Sequence, residues 1–157
     1  MNRYMQDRWS WIEGTHKVRL ELLGQFSDAD LRFNPGGTNM ALGALWRESG
    51  DVEHSYIQSL KALKQDWSYS NTEPGIETSV ERLAAWLARM DEEIRATVAA
   101  FSDEDLQKTV DRGGFAVPVD VQLDIYLQAL LIFLGKVSIF IRAMGRPLPE
   151  NVQAFIG

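Results

Sequence analysis

The stretch VPVDVQLDIYLQALLIFLGKVSIFIRAMG (117–145) is the most apolar part of the chain, and it predicts a long helix from about Pro118 to Gly145. One face of this helix carries Gln122 and Lys136 together with four apolar residues, Ile125, Ala129, Phe133 and Phe140. A helix that is apolar nearly all round is usually buried on more than one side. We therefore expect it to be buried in the bundle on one side, and its second side to be a candidate interface between subunits.

Three other segments show the 3.6-residue periodicity of amphipathic helices. The first runs from about Tyr4 to Leu23. The second follows Pro-Gly-Gly, takes Thr38 or Asn39 as its N-cap and reaches about Leu63, and the third runs from Glu77 or Thr78 to about Ala100. The connecting segments are rich in Gly, Pro, Asn and Asp, and only residues 107–117 are candidates for a short β-ribbon. These patterns predict one all-α domain over residues 1–157, a four-helix bundle with long loops.

One hexapeptide is nearly repeated, since FSDADL at 26–31 returns as FSDEDL at 101–106. Each copy follows an odd-numbered helix, and Ser-Asp-x-Asp predicts a cap or a short helical turn. One interpretation is that two related helical hairpins, the first helix with the second and the third with the fourth, make up the bundle. The alternative is that the motif is simply a common way to leave a helix.

Composition excludes several classes of function. The chain has no cysteine, which rules out thiolate catalysis, Cys-ligated zinc and disulfides. Its net charge of −6, with 16 Lys and Arg and no basic cluster, disfavours nucleic acid and acidic membrane surfaces as partners. No apolar run is expected to span a bilayer, and the N-terminus lacks the apolar core of a signal peptide. We expect a cytoplasmic protein.

The segment LWRESGDVEHSY (45–56) places three carboxylates and an imidazole within seven residues, as a metal site would require. Helical geometry separates them. Glu48 lies at the edge of the inner face and Glu53 at the opposite edge, so that only Glu48 is expected to face inward. His54 and Asp51 are expected to form a solvated surface pair. The quartet therefore predicts no preformed chelate.

Polar residues also fall on inner faces elsewhere. His16 lies between Ile12 and Leu20 on the apolar stripe of the first helix, either as a core histidine with a backbone or water partner or as part of a pocket. Lys136 lies on an apolar face, where an unpaired ammonium is costly, so it either extends to the bundle end or pairs with Glu48.

The segments LLGQFSDADLRFNPGGTNMALGAL (22–45), LWRESGDVEHSYIQSL (45–60) and VPVDVQLDIYLQALLIFLGKVSIFIRAMGRPLP (117–149) resemble the DinB-like superfamily of four-helix proteins. The resemblance covers roughly residues 10–150. It implies a bundle that frequently forms homodimers. Many members bind zinc or nickel through one histidine on the second helix and a His-x-x-x-His pair on the fourth, because residues four apart share a helical face.

The chain departs from that pattern at all three ligand positions. Alignment places Glu48 at the first, and Ala129 and Phe133 at the helical pair, because Gly135 and Lys136 occupy the family's Gly-Gln. One carboxylate does not hold zinc or nickel, so we expect no metal cofactor. Lys136 would neutralise Glu48, and a contact of Glu48 with Lys136 or with His16 is expected.

Three functions remain open. The first is a non-catalytic or metal-independent bundle that binds a small molecule in a pocket lined by His16, Trp46, Glu48, Gln122 and Lys136. The second is a metal-dependent hydrolase, thiol S-transferase or isomerase of the DinB-like type, a chemistry for which the metal must activate the thiol. The third is a purely structural or interaction role as a homodimer. No catalytic residue is identified.

Overall fold

A computed structural model describes residues 1–156 of the 157. Four long helices form a bundle, as the periodicity predicts: α2 (Trp9–Leu23), α3 (Leu42–Ala62), α4 (Val80–Ala99) and α5 (Val119–Ala143). Two short helices, α1 (Arg3–Asp7) and α6 (Glu150–Ile156), stand before and after them. A two-stranded antiparallel ribbon, β1 (Thr109–Asp111) with β2 (Ala116–Pro118), joins α4 to α5, with Val110 opposite Val117. This ribbon confirms the strand expectation for the loop.

Consecutive long helices do not pack side by side as two helical hairpins. α2 packs on α4 and α5, and α3 packs on the same two helices. The order around the bundle is therefore α2, α4, α3, α5, and α2 lies diagonally across the core from α3. The interpretation that the first and second helices form a hairpin is wrong, because the long loops let consecutive helices take opposite corners.

The repeated hexapeptide forms the same turn twice. The hydroxyl of Ser27 accepts from the Asp30 amide while the Asp30 carboxylate accepts from the Ser27 amide, at 3.2 and 2.8 Å. Ser102 and Asp105 repeat this pair of bonds at 3.1 and 2.8 Å. Each pair opens a single 3₁₀ turn, at Asp30–Arg32 and Asp105–Gln107, and the leucine within it is buried. The predicted cap is confirmed at both places.

Two helix boundaries differ from the prediction. The first helix is interrupted at Arg8, whose backbone leaves the helical region, so α1 and α2 are separate. The second helix begins at Leu42 without a side-chain cap. The amide of Asn39 instead donates to the Gly36 carbonyl within the loop, and the Leu42 amide donates to the Phe33 carbonyl.

Two glycines of α3 lie in close contact with neighbouring segments and so fix the position of this helix. A Cβ on Gly43 would lie 1.8 Å from the Glu77 carbonyl oxygen, and a Cβ on Gly50 would lie 2.4 Å from the Trp86 ring. Only glycine permits these two contacts, so α3 packs directly against α4 and the turn before it.

By its length and mean hydropathy alone, α5 could cross a membrane. The expectation that no apolar segment is long enough to span a bilayer is therefore wrong on that measure. The bundle explains its composition, because α5 packs on α2, α3 and α6 and supplies eleven buried residues to the interior. Even so, only 44% of its most apolar 18-residue window is buried. The remaining apolar surface lies on its outer side.

Candidate functional site

A buried polar network crosses the centre of the bundle and takes side chains from all four long helices. α2 contributes His16 and Arg19, α3 contributes Glu53, α4 contributes Asp91 and α5 contributes Tyr126. The side chains of Arg19 and Glu53 are 0% exposed, and His16 and Tyr126 are also buried. We call these five residues the central network.

The guanidinium of Arg19 joins the two carboxyl groups. Its Nη1 lies 2.7 Å from Glu53 Oε2, and its Nη2 donates to Asp91 Oδ1 at 2.5 Å. Because α2 and α3 stand at opposite corners, the pair between Arg19 and Glu53 spans the diagonal of the core. A buried charge needs such a partner, since the desolvation of an isolated ion costs several kcal/mol.

His16 links the same acids to Tyr126. Its Nδ1 lies 3.1 Å from Asp91 Oδ1, and its Nε2 lies 2.7 Å from the Tyr126 hydroxyl. Both ring nitrogens of the imidazole therefore have a side-chain partner within hydrogen-bond distance, Nδ1 the Asp91 carboxyl and Nε2 the tyrosine hydroxyl. The core histidine expected from the sequence is thus satisfied by side chains rather than by the backbone.

The environment shifts the ionisation of each member. Burial, followed by the charge of Arg19, holds the pKa of His16 well below its ordinary value. Burial is also the main reason that the pKa of Asp91 rises to about 8; Arg19 opposes this rise and the Glu53 carboxylate adds to it. Burial and then Glu53 raise the pKa of Tyr126 far above its usual range. Burial alone would lower the pKa of Arg19, but Glu53 and Asp91 raise it overall, so the guanidinium stays charged.

Near neutral pH these directions favour the charged form of Arg19, the neutral forms of His16 and Tyr126 and the protonated form of Asp91. In the described part of the chain, Asp91 Oδ2 is buried and has no hydrogen-bond partner. A protonated carboxyl with its O–H directed at Glu53 satisfies both acids.

The network is also the group of His, Asp and Glu within residues 1–156 that could hold a metal ion, since ligand atoms of His16, Glu53 and Asp91 lie within 4.8 Å of one another. The donor set is partly suitable for a divalent cation. Arg19 already contacts both acids, however, and a metal would have to displace a fully buried guanidinium. The residues therefore fit an internal salt bridge and not a metal.

Three sequence-based expectations about LWRESGDVEHSY need correction. Glu53 is fully buried, whereas the Glu48 side chain is 39% exposed, so the inward-facing acid is Glu53. Asp51 and His54 do not form a solvated pair. Asp51 is buried and accepts from Arg47 and from the Asn71 amide, while His54 stacks on the Tyr69 ring with centroids 3.7 Å apart.

A second feature is an apolar cavity of about 170 Å³ between α3 and α5. Its lining is Leu45, Glu48, Ser49, Val52, Tyr126, Ala129, Leu130, Ile132, Phe133 and Lys136. The only charged groups among these residues are Glu48 and Lys136. Lys136 Nζ lies 3.7 Å from Glu48 Oε1, and the two side chains are 51% and 39% exposed. The expected contact between Glu48 and Lys136 is present, and the pair faces solvent.

Two of the five pocket candidates from the sequence, Glu48 and Lys136, line this cavity, and the other three lie elsewhere. His16 is in the central network. Trp46 is fully buried and packs edge-on against Phe133, with ring centroids 4.7 Å apart. Gln122 lies at the ribbon end of α5, where its amide donates to Ser59 and Gln65 and its oxygen accepts from Arg112.

Glu48, Ala129 and Phe133, the positions that the resemblance to the family equates with its metal ligands, all line this one cavity. A methyl group and a benzyl ring supply no donor atom, and Glu48 is paired with an ammonium. The residues at these positions do not fit a zinc or nickel ion, which requires three or more nitrogen, sulfur or oxygen ligands.

Arg19, Glu53, Asp91 and Tyr126 were not predicted from the sequence as members of one site. One available signal was Arg19, which follows His16 by three residues and therefore shares its helical face. An arginine beside a histidine on an inner face requires buried acids opposite it. Which acids these are depends on the diagonal arrangement of α2 and α3.

We predict that Arg19→Met lowers the free energy of unfolding by about 3–5 kcal/mol, because it leaves Glu53 charged, buried and unpaired. Urea unfolding at pH 7, followed by circular dichroism, measures the loss. The double variant Arg19→Met/Glu53→Gln is expected to recover part of it. The control Lys17→Met removes an exposed cation from the same helix and should change stability by less than about 0.5 kcal/mol. An equal loss in both single variants would contradict the role of Arg19.

The stability of the protein should also depend on the ionisation of Asp91. Its pKa is about 8 in the folded state against 3.8 in the unfolded chain. The folded state therefore binds one more proton between these values, so this contribution is complete below about pH 4 and is lost as the pH rises through 8. The slope from this one group is up to about 1.4 kcal/mol per pH unit.

We predict that Asp91→Asn removes this slope, since an amide keeps one acceptor for His16 and Arg19 and one donor for Glu53. Urea unfolding of the wild-type and variant proteins at several pH values between 5 and 8 measures the difference in their free energies of unfolding. Titrations that occur in both proteins cancel in this difference. Parallel stability curves for the two proteins would show that Asp91 is ionised in the folded state.

Comparison with known proteins places this geometry in a family. A family model described as the DinB superfamily matches residues 12–132. The crystal structure of a DinB-like protein, YjoA from Bacillus subtilis, has a TM-score of 0.72 and 18% sequence identity, covering 90% of this chain and 95% of that chain. At this identity the likeness shows the fold alone. No curated protein matches the chain significantly. Since the family model covers well over half of its length, the chain belongs to the DinB superfamily.

Proposed function

We propose that the protein is a metal-independent bundle that binds a small molecule, with the cavity between α3 and α5 as the binding site. The observation that carries the proposal is the lining: the three positions assigned to the family's metal surround the cavity, and two of them are hydrocarbon. A site built to bind through apolar contact, with a few polar groups at its mouth, is the usual form of a small-molecule pocket.

The size of the cavity limits the group that enters it. An apolar cavity of about 150 Å³ holds benzene, so about 170 Å³ accommodates one six-membered ring or a branched alkyl group. The walls are side chains of Leu45, Val52, Leu130 and Phe133, which offer dispersion contacts and no hydrogen bonds. The polar part of a ligand would therefore remain at the mouth, beside Glu48 and Lys136.

The family's metal chemistry has less support. A metal-bound thiol or water needs a Lewis acid with an open position, and neither the cavity nor the central network offers a fitting donor set. The central network is also poorly placed for catalysis on its own, because Arg19 and Glu53 are fully buried. Tyr126, which lines the cavity, has a pKa raised far above its usual range and is not an activated nucleophile.

We predict that toluene, used as a neutral probe, raises the melting temperature of the wild-type protein, since a ligand that binds only the native state stabilises it. Ala129→Leu places three more carbon atoms in the cavity and should abolish the shift. Ala143→Leu adds the same atoms at the exposed end of α5 and should leave the shift unchanged.

Metal analysis of the same untagged protein separates the two functions. Binding of toluene at a zinc and nickel content far below one ion per chain supports the proposal. A full equivalent of either metal, lost together with a single substitution of Glu48, would instead support the metalloenzyme. A toluene shift that persists in Ala129→Leu would place the binding site elsewhere.

We also propose a homodimer formed through the outer side of α5, in a soluble, cytoplasmic protein. The outer side of this helix is mostly apolar: Val121, Leu131, Ile132 and Ile139 are exposed there, and Lys136 lies between the last two. Ile132 and Ile139 are 61% and 65% exposed. A two-fold interface brings identical residues together, so contacts through isoleucines avoid the repulsion that like charges would cause in a chain whose net charge is −6. The charge of Lys136 is already paired with that of Glu48.

We predict that Ile139→Glu converts the dimer to a monomer, because it places two carboxylates close together near the two-fold axis. Light scattering coupled to size-exclusion chromatography measures the mass. Trp11→Glu changes an exposed residue on α2, 64% accessible, and should leave the mass unchanged. A wild-type protein that is monomeric at high micromolar concentration would rule out this interface.

A further inference from the structure

The pair Glu48–Lys136 offers two opposite charges at the mouth of an apolar cavity. The two groups come from facing helices, α3 and α5, and lie 3.7 Å apart. This separation is an ion-pair contact and not a close hydrogen bond. Both side chains are more than a third exposed, so a ligand can reach either one without unfolding the site.

A ligand with a single charge would leave one member of this pair without a partner. An amine that binds Glu48 competes with the Lys136 ammonium, and a carboxylate that binds Lys136 competes with Glu48. A ligand that carries both charges replaces one ion pair by two and leaves no charge unpaired. The four groups then alternate in sign, which is the arrangement that electrostatic complementarity favours.

We propose that the ligand of this cavity is an apolar α-amino acid, a proposal that rests on the proposed binding function. The ammonium group would bind Glu48, the carboxylate would bind Lys136, and the side chain would enter the cavity. In an α-amino acid the two charged groups are attached to one carbon, which keeps them about as far apart as Glu48 and Lys136 are. The side chain leaves that same carbon toward the apolar wall.

Cavity size and composition favour particular side chains. A volume of about 170 Å³ fits a phenyl or isobutyl group, and its walls reject a charged or strongly polar side chain, which would lose its hydration without gaining partners. The carboxylate side of the site also has room, because Lys136 lines a second cavity with Thr38, Asn39 and Met40. A hydroxyl and an amide there can donate to the carboxylate or to a group attached to it.

The test compares four probes that share one ring. L-phenylalanine carries both charges, phenylacetate only the carboxylate, phenethylamine only the ammonium, and toluene none. Isothermal titration or ligand-observed NMR gives the dissociation constants. We expect L-phenylalanine to bind up to about fivefold more tightly than either singly charged probe, since an exposed ion pair contributes up to about 1 kcal/mol.

Substitution of each charged residue by a neutral one tests which charged group of the ligand it binds. Glu48→Gln should weaken the binding of L-phenylalanine and phenethylamine by about fivefold and leave the binding of toluene unchanged. Lys136→Gln should weaken the binding of L-phenylalanine and phenylacetate and leave that of toluene unchanged. Glu21→Gln breaks a comparable exposed pair with Lys17 on α2 and should change none of the four constants. These variants keep the cavity intact, so an effect on charged probes alone is not a loss of folding.

The outcomes separate the two proposals. Toluene that binds while L-phenylalanine binds no better than the singly charged probes would overturn the amino-acid ligand and leave the binding cavity standing. Failure of all four probes would overturn both. Binding of L-phenylalanine that is unaffected by Glu48→Gln and Lys136→Gln would also overturn the amino-acid assignment.

Discussion

The guanidinium of Arg19 sets the constraint on which the interior of this bundle depends. It is fully buried and contacts Glu53 across the diagonal of the core and Asp91 on the adjacent helix. Burying a charge without a partner costs several kcal/mol, so the helices must arrive in the one arrangement that brings both acids to it. Burial raises the pKa of the second acid, Asp91, which favours its protonated form beside Glu53.

The central network and the cavity meet at Tyr126. Its hydroxyl is held by His16, and its side chain also lines the cavity. One helix therefore provides part of the cavity wall and a member of the polar centre. The charged groups lie across the centre of the bundle, while Ala129, Phe133 and other hydrocarbon side chains line most of the cavity. A ligand of the kind proposed would thus be held mainly by apolar contact.

Much of the fold could be predicted from the sequence, since four long periodic segments became four long helices and both Ser-Asp-x-Asp turns formed as expected. The positions of the helices around the bundle could not be predicted, because the periodicity of α2 and α3 shows which side of each helix is apolar but not which helix covers that side. The same limit explains the error over Glu53. Its position at the edge of the apolar stripe is compatible with solvent or with a buried partner, and the partner is on another helix. Glu48 and Lys136 were found together because each lies on an apolar face and the two carry opposite charges.

The five residues of the central network also limit how this sequence can change over generations. His16, Arg19, Glu53, Asp91 and Tyr126 contact one another in the interior, so the replacement of any one removes a polar partner from a buried neighbour, and the effects of such neighbouring substitutions are not additive. Descendants can reach a wholly apolar bundle centre only through intermediate sequences that are less stable than both the present protein and the fully apolar one. Substitutions at these positions should therefore be correlated among descendants, appearing in sets, while the exposed faces of the same helices drift one residue at a time.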